Sequence, residues 1–309
     1  MPKYRILSLD GGGIRGVLTL GLLKQLERAC PGFMENIDLI AGTSTGGILA
    51  IGLALGLSID DLMKLYSEHG EEIFDDSWSR GIASIDGLRE AKYDNAKLQA
   101  LLSRTFGTVC LKDLKKKVVI PTLNLNAAVP NGRNRVKPRF MHNLGGCDSD
   151  GELSAVVAAL RTSAAPTFFP TWATYADGGL VANDPSLCAV VRVVRNEPVT
   201  LSDLVVLSLG TGVQYKPISG EDHDGGLIFW APKLIDLLLD GNVEVTEDLC
   251  ELLLPSGQYF RENPELPGGD PVPLDAWKRC GELARFGEAQ DMTKAIAFVK
   301  KHWPVAAAP

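Results

Sequence analysis

The chain has 309 residues, 45% hydrophobic and 22% charged, ordinary proportions for a soluble globular protein. Its net charge of −7 argues against nucleic acid as a main partner, because neutralising phosphates needs a basic surface. The length suits one large α/β domain, or such a domain with an appended helical part.

Tyr4 to Leu9 reads as a first strand, too short an apolar run for a signal peptide. It runs into Asp10-Gly11-Gly12-Gly13-Ile14-Arg15-Gly16, and Val17, Leu18, Leu20, Leu22, Leu23 and Leu26 then give a helix a broad apolar face. Successive glycines beside a helix N-terminus leave backbone N–H groups unshielded, which suits an anion. Gly11-x-Gly13-x-x-Gly16 also matches the dinucleotide fingerprint, but that reading needs an acid after the second strand. Here Asp38 precedes the second apolar run, and the run ends in Gly42. The better account is an oxyanion hole built from N–H groups around Gly12 and Gly13.

Asp38 to Leu57 holds a short apolar run, then Gly42-Thr43-Ser44-Thr45-Gly46, then a long apolar segment. This predicts a strand, a sharp turn with Ser44 at its apex, and a helix. The helix N-terminus favours a developing anion, so the functional reading of Ser44 is a nucleophile. The uncharged run from Leu39 to Leu57 is also about long enough to span a bilayer, but glycines and threonines crowd its first half. It is read as a buried core element, with no transmembrane segment.

Ser58-Ile59-Asp60-Asp61 resembles a capping box opening a helix through about Phe74. Residues 75 to 93, with Trp78, Gly81 and Gly87, read as irregular: a lid, a substrate-side wall or a surface connection. Asp94 caps a helix over Asn95 to Phe106, and Val118 to Asn126 reads as a third strand. Asn131 to Arg139 is a basic turn leading into a strand at Arg139 to Asn143; with Lys115, Lys116 and Lys117 it suits anionic head groups or simply solvent.

Glu152 to Ser163 predicts a helix stopped before Pro166. Phe168, Phe169, Pro170 and Trp172 precede Tyr175-Ala176-Asp177-Gly178-Gly179, where a strand ends in a turn that can aim an aspartate. Asn183-Asp184-Pro185 starts a helix to about Val194, with Asp184 as cap. Leu204 to Leu209 is a strand closing in Gly210-Thr211-Gly212. From Gly225 the pattern is helical, with further helices at about 275 to 286 and 288 to 302, and Pro255 to Pro273 reads as a loop.

A serine nucleophile needs a base. His69 and His302 lie in predicted helices and His223 in an acidic loop; His142, on a strand, is the one histidine placed for a triad. The remaining candidate is Asp177, acting on Ser44 directly in a dyad. A carboxylate in water is a poor base, so the dyad requires a desolvated Asp177 whose pKa burial has raised. Cys30, Cys110, Cys147, Cys188, Cys250 and Cys280 are scattered without a Cys-x-x-Cys pair, implying neither zinc nor disulfides and suiting a cytoplasmic protein.

Asp10-Gly-Gly-Gly-Ile-Arg-Gly16, Gly42-Thr-Ser-Thr-Gly46 and Asp177-Gly-Gly179, in that order, resemble the patatin-like phospholipase family, as do Ser163 to Pro170 and Ser208 to Gly212. The resemblance covers about residues 4 to 215, and Gly179 stands where alanine is also common. It implies an α/β three-layer sandwich with a mostly parallel central sheet, residues 1–215 as catalytic core and 216–309 as a mainly helical extension packed on it. It implies Ser44 as acyl-accepting nucleophile, Asp177 as its partner, and Gly11, Gly12, Gly13 and Arg15 as the oxyanion loop. Gly42 and Gly46 then flank the elbow, and Gly178 and Gly179 follow the aspartate. The implied activity is phospholipase A-type hydrolysis of glycerolipid acyl esters at a membrane or micelle, without metal or cofactor. The implied setting is the cytoplasm with peripheral membrane contact, and a homo-oligomer is compatible with the C-terminal part. An effector switched on by a ligand or partner fits the same dyad, and a Rossmann-like nucleotide binder is the rival from another class.

Overall fold

The computed structural model describes residues 3–74, 91–130, 132–214, 227–267 and 272–304. The expectations for 75–90 and for His223 lie outside these residues. Seven strands form one sheet among the described residues: β1 (Tyr4–Leu9), β2 (Leu39–Gly42), β3 (Lys117–Ala127), β4 (Arg135–His142), β5 (Tyr175–Asp177), β6 (Leu204–Leu209) and β7 (Tyr259–Glu262). The order is β4-β3-β2-β1-β6-β7, with β5 paired to β3. β3, β2, β1, β6 and β7 run parallel, while β4 and β5 pair antiparallel with β3. The expected α/β sandwich with a mostly parallel sheet is therefore the fold.

The central strands read as continuous apolar runs because both their faces are covered. Alternate residues divide between two cores: Leu7, Leu9, Ile40, Val205 and Leu207 face one layer of helices, whereas Ile6, Leu39, Ala41, Leu204 and Val206 face the other. The first layer contains α1 (Gly16–Ala29), α2 (Thr45–Leu55), α3 (Ile59–Phe74), α4 (Asn95–Phe106) and α5 (Ala155–Thr162). Beyond α6 (Gly179–Ala182), the second layer is built on α7 (Ser186–Asn196), against which α8 (Leu227–Leu253) packs. From the C-terminal part, α9 (Cys280–Glu288) and α10 (Thr293–His302) join the first layer.

The uncharged run from Leu39 to Leu57 divides into a four-residue strand and an eleven-residue helix, α2, of which Thr45 to Ala54 are buried. No helix of the described residues is long and apolar enough to cross a membrane. The caps predicted at Ser58 and Asp94 form: Asp61 N donates to Ser58 Oγ at 3.1 Å, and Ala96 N donates to Asp94 Oδ1 at 2.9 Å.

Several boundaries differ, among them the helices expected at about 275 to 286 and 288 to 302, which begin at Cys280 and Thr293. β4 begins at Arg135 rather than Arg139, because pairing with β3 supplies the ladder that its exposed, charged residues do not advertise. α5 begins at Ala155 rather than Glu152, since Leu153 N and Ala155 N are spent on Asp150 O and Val109 O. The loop expected over Pro255 to Pro273 contains β7, which extends the sheet parallel to β6 in the register Val206 to Tyr259.

Candidate active site

Parallel β1 and β2 deliver their C-terminal ends, Asp10 and Gly42, to the same edge of the sheet. The chain turns there through Thr43 and Ser44 into α2, and Ser44 has φ 53° and ψ −122°. A serine at positive φ is strained and persists only where its surroundings fix it. Thr43 Oγ1 donates to Ala182 O at 2.6 Å, and Ser44 N donates to Thr162 Oγ1 at 3.0 Å. Thr162 in turn donates to Pro121 O at 2.6 Å, tying the elbow to β3. The crossing is also tight: a Cβ on Gly46 would sit 2.2 Å from Leu9 O.

Asp177 reaches the elbow from β5. Ser44 Oγ donates to Asp177 Oδ2 at 2.7 Å, and Gly179 N donates to Asp177 Oδ1 at 2.7 Å. Gly178 N is held by Thr162 O at 3.1 Å, so one threonine binds both turns. Asp177 is 5% exposed. Burial pushes its carboxyl up to about 6, while the Gly179 N–H and Ser44 O–H hold it back. A carboxylate with that pKa is ionised at neutral pH, and accepting a proton costs it far less than it costs an exposed aspartate.

The glycine loop lies against this pair. Gly12 and Gly13 line the cleft beside Ser44. Gly13 has φ 57°, and a Cβ there would meet Leu274 O at 2.2 Å. Gly11 N donates to Asn183 O at 3.1 Å, and Ile14 N donates to Leu274 O at 2.7 Å. Between them, the N–H groups of Gly12 and Gly13 donate to no group among the described residues. Of the predicted loop, these two donors are therefore the ones open to an oxyanion. Arg15 lies elsewhere, lining a polar cavity that adjoins the cleft at Asn183 and Leu239.

The cleft above Ser44 is almost wholly apolar, with walls that include Ile48, Leu65, Ile73, Phe74, Phe168, Phe169 and Leu239. It encloses about 960 Å³ including its open mouth. No described histidine lines it. His69 stands by Glu72 at 3.1 Å, His302 by Gly257 O at 2.8 Å, and His142 is buried on β4 with Asp148 3.9 Å away. The acid that a dinucleotide site needs is also misplaced: Asp38, before β2, accepts from Arg5 N at 2.7 Å.

Several supports were missed from the sequence. The side chain of Arg261 on β7 is 4% exposed and reaches Asp10 Oδ2 at 2.6 Å and Asp184 Oδ2 at 3.1 Å. Asp184 was expected as a helix cap, and Ser186 N does donate to its Oδ1 at 2.8 Å. The fully buried carboxylate also accepts from Ser8 Oγ and Ser208 Oγ, both at 3.0 Å. Burial drives the Asp10 carboxyl above its usual range, and the Arg261 guanidinium opposes this. Asn242 on α8 donates to Gly179 O at 2.9 Å and accepts from Asn183 N at 2.7 Å, clasping both ends of α6. An arginine between two charged-rich helices, or an asparagine mid-helix, carries no sequence signal of such a role.

The family model described as patatin-like phospholipase matches residues 7–189. A cGAMP-activated phospholipase of Escherichia coli is 35% identical over 231 residues, 68% of this chain and 62% of that protein. This chain thus spans less than two thirds of that relative. A cGAMP-activated phospholipase of Vibrio cholerae is 36% identical over 257 residues, 74% of this chain and 70% of its own. CotR of Bacillus subtilis is 31% identical over 332 residues, 98% of this chain and 99% of its own. The chain belongs to the patatin-like phospholipase family.

Proposed function

We propose that this member of the patatin-like phospholipase family is a serine-dependent lipid acyl hydrolase, with Ser44 as nucleophile and Asp177 as its base. The observation that carries the reading is the 2.7 Å hydrogen bond from Ser44 Oγ to a buried carboxylate at the foot of an apolar cleft. As Ser44 Oγ attacks an ester carbonyl carbon, Asp177 Oδ2 takes its proton, and the carbonyl oxygen becomes an oxyanion facing the Gly12 and Gly13 N–H groups. Collapse breaks the ester C–O bond, and the leaving alcohol takes the proton from Asp177. Water then attacks the acyl-enzyme, giving its proton to Asp177, and Ser44 leaves with that proton as the fatty acid departs. The apolar walls suit an acyl chain, so fatty acyl esters of glycerophospholipids are the substrate class, met at a membrane or micelle from the cytoplasm.

Residues 1–215 supply the reacting groups in this reading, and 216–309 pack on them. A fluorophosphonate probe should label the wild type and spare Ser44→Ala. Both Ser44→Ala and Asp177→Asn should lose turnover of glycerophospholipids while keeping the fold. Turnover retained in both purified variants sinks the dyad, and saturable dinucleotide binding without labelling of Ser44 favours the rival class.

A second reading, that the hydrolase is switched by a ligand, is favoured by α8. Leu239 of that helix lines the cleft, and Asn242 holds the turn that follows Asp177, so displacing α8 acts on the proposed base. The two relatives named as cGAMP-activated phospholipases make that cyclic dinucleotide the first ligand to try. Equal hydrolysis rates with and without cGAMP would remove it as the trigger.

A further inference from the structure

Residues 114–147 contain seven lysines and arginines and no aspartate or glutamate, within a chain whose net charge is −7. The structure divides these cations between the two ends of β3. Lys116 Nζ donates to Glu35 O and Ile37 O at 2.9 and 2.8 Å, and Lys117 Nζ donates to Asn143 O at 3.1 Å. That group, at the start of β3, lies away from the elbow and is partly spent on carbonyls. The expectation that Lys115 to Lys117 act together with the basic turn therefore fails on geometry.

The other end differs. β2 and β3 run parallel with Ala41 beside Val119, so Ser44 leaves the sheet near the level of Thr122. β3 continues to Ala127, roughly 17 Å further at about 3.4 Å per residue, before β4 returns from Arg135. The β3–β4 hairpin thus stands forward from the sheet edge that carries the cleft. Register sets its face: Asp177 pairs with Thr122 and Thr122 with Arg139, while Tyr175 pairs with Asn124 and Asn124 with Lys137. Directly paired residues share a face, so Arg135, Lys137 and Arg139 lie on the side of the ladder that carries Asp177. Lys137 is two strands from Tyr175, about 10 Å away.

Arg139 is held by Asp150. Among the described residues, Arg133, Arg135 and Lys137 are exposed and have no ion-pair partner. Val136 between them is 58% exposed on the other face of the same free edge. Unpaired cations on a projecting edge strand are complementary to one kind of broad surface, a sheet of phosphate groups.

Resting on the reading of the Ser44 cleft as an ester-hydrolysing site, we propose that Arg133, Arg135 and Lys137 form an arm that docks this face on anionic phospholipid. The arm holds the cleft mouth at the bilayer that supplies the acyl ester. Each cation near such a surface contributes about a fivefold factor in partitioning, so three contribute roughly 100-fold.

The test compares wild type, the triple variant Arg133→Ser/Arg135→Ser/Lys137→Ser and Ser44→Ala. Each is sedimented at low salt with phosphatidylcholine vesicles with and without phosphatidylglycerol, and each is assayed on a dispersed short-chain ester. Wild type and Ser44→Ala should pellet with the phosphatidylglycerol vesicles and release in high salt. The triple variant should partition about 100-fold less, with its short-chain ester turnover unchanged. Equal partitioning of the triple variant overturns the proposal. So does wild type that stays in the supernatant with anionic vesicles, including the case where it binds heparin instead. Failure of the hydrolase reading looks different: no short-chain ester turnover by wild type, with vesicle partitioning read independently of it.

Discussion

Replacing Asp177 with asparagine should stabilise the protein while it removes the proposed base. Burial pushes the carboxyl up to about 6 in the fold from its ordinary 3.8, and it is 5% exposed, so little solvent screening reduces that difference. A folded value above the unfolded one means that the native state binds the proton more tightly. Stability therefore falls as pH rises through that window, and the full penalty applies above about pH 7. The shift converts to about 3 kcal/mol at most. The neutral amide still accepts from Gly179 N but bonds Ser44 less well, which leaves a net gain of roughly 1–2 kcal/mol. Urea denaturation of both proteins at pH 8 and at pH 4 measures it. The variant should be the more stable at pH 8, and the gap should narrow toward pH 4. A variant less stable than wild type at pH 8, or a gap that ignores pH, would refute the claim that burial strains this carboxylate.

The same titration should appear in catalysis. With the base ionised above about 6, kcat/KM on a soluble ester should fall about tenfold between pH 7 and pH 5, and an inflection near 4 would contradict it. Arg261→Met leaves Asp10 and Asp184 buried without their cation and should cost about 3–5 kcal/mol in urea; a loss below about 1 kcal/mol would mean the two carboxylates find other partners. Gly46→Ala places a Cβ 2.2 Å from Leu9 O, so it should lower the melting temperature and abolish fluorophosphonate labelling of Ser44. Wild-type labelling by that variant would show that the elbow can open.

What the sequence made legible follows from how local each signal is. Ser58 with Asp61, and Asp94 with Ala96, are hydrogen bonds within three residues, so their helices were placed to the residue. β1, β2 and β6 are apolar because both faces are covered, and apolar runs survive in one dimension. The pairing of Ser44 with Asp177 was readable from the order of three glycine-bearing motifs that together resemble one family, and from the lack of a suitably placed histidine, not from either turn alone. β7 was not, since its four residues Tyr-Phe-Arg-Glu include two charges and become a strand only beside β6. Thr162 and Asn242 act on groups distant in sequence through ordinary hydrogen bonds, and nothing in their neighbours marks them. Arg15 matched a motif by position, yet its side chain lines the adjoining polar cavity rather than the cleft.

β7 also sets an order in time. In a chain emerging from the ribosome, Ser44 and Asp177 appear well before Arg261, with α7, β6 and the whole of α8 translated between. At roughly 5–20 residues per second that interval lasts several seconds. Until Arg261 is made the outer edge of β6 lacks its neighbour, and Asp10 and Asp184 lack the guanidinium that joins the glycine loop to the connection between α6 and α7. The nascent protein therefore holds the proposed reacting groups without the cation that secures the loops around them. Stalled chains ending before Tyr259 should not take up a fluorophosphonate probe; labelling of such chains would break this reading. A chain assembled in this order keeps the proposed reacting groups unsecured until Arg261 has been translated.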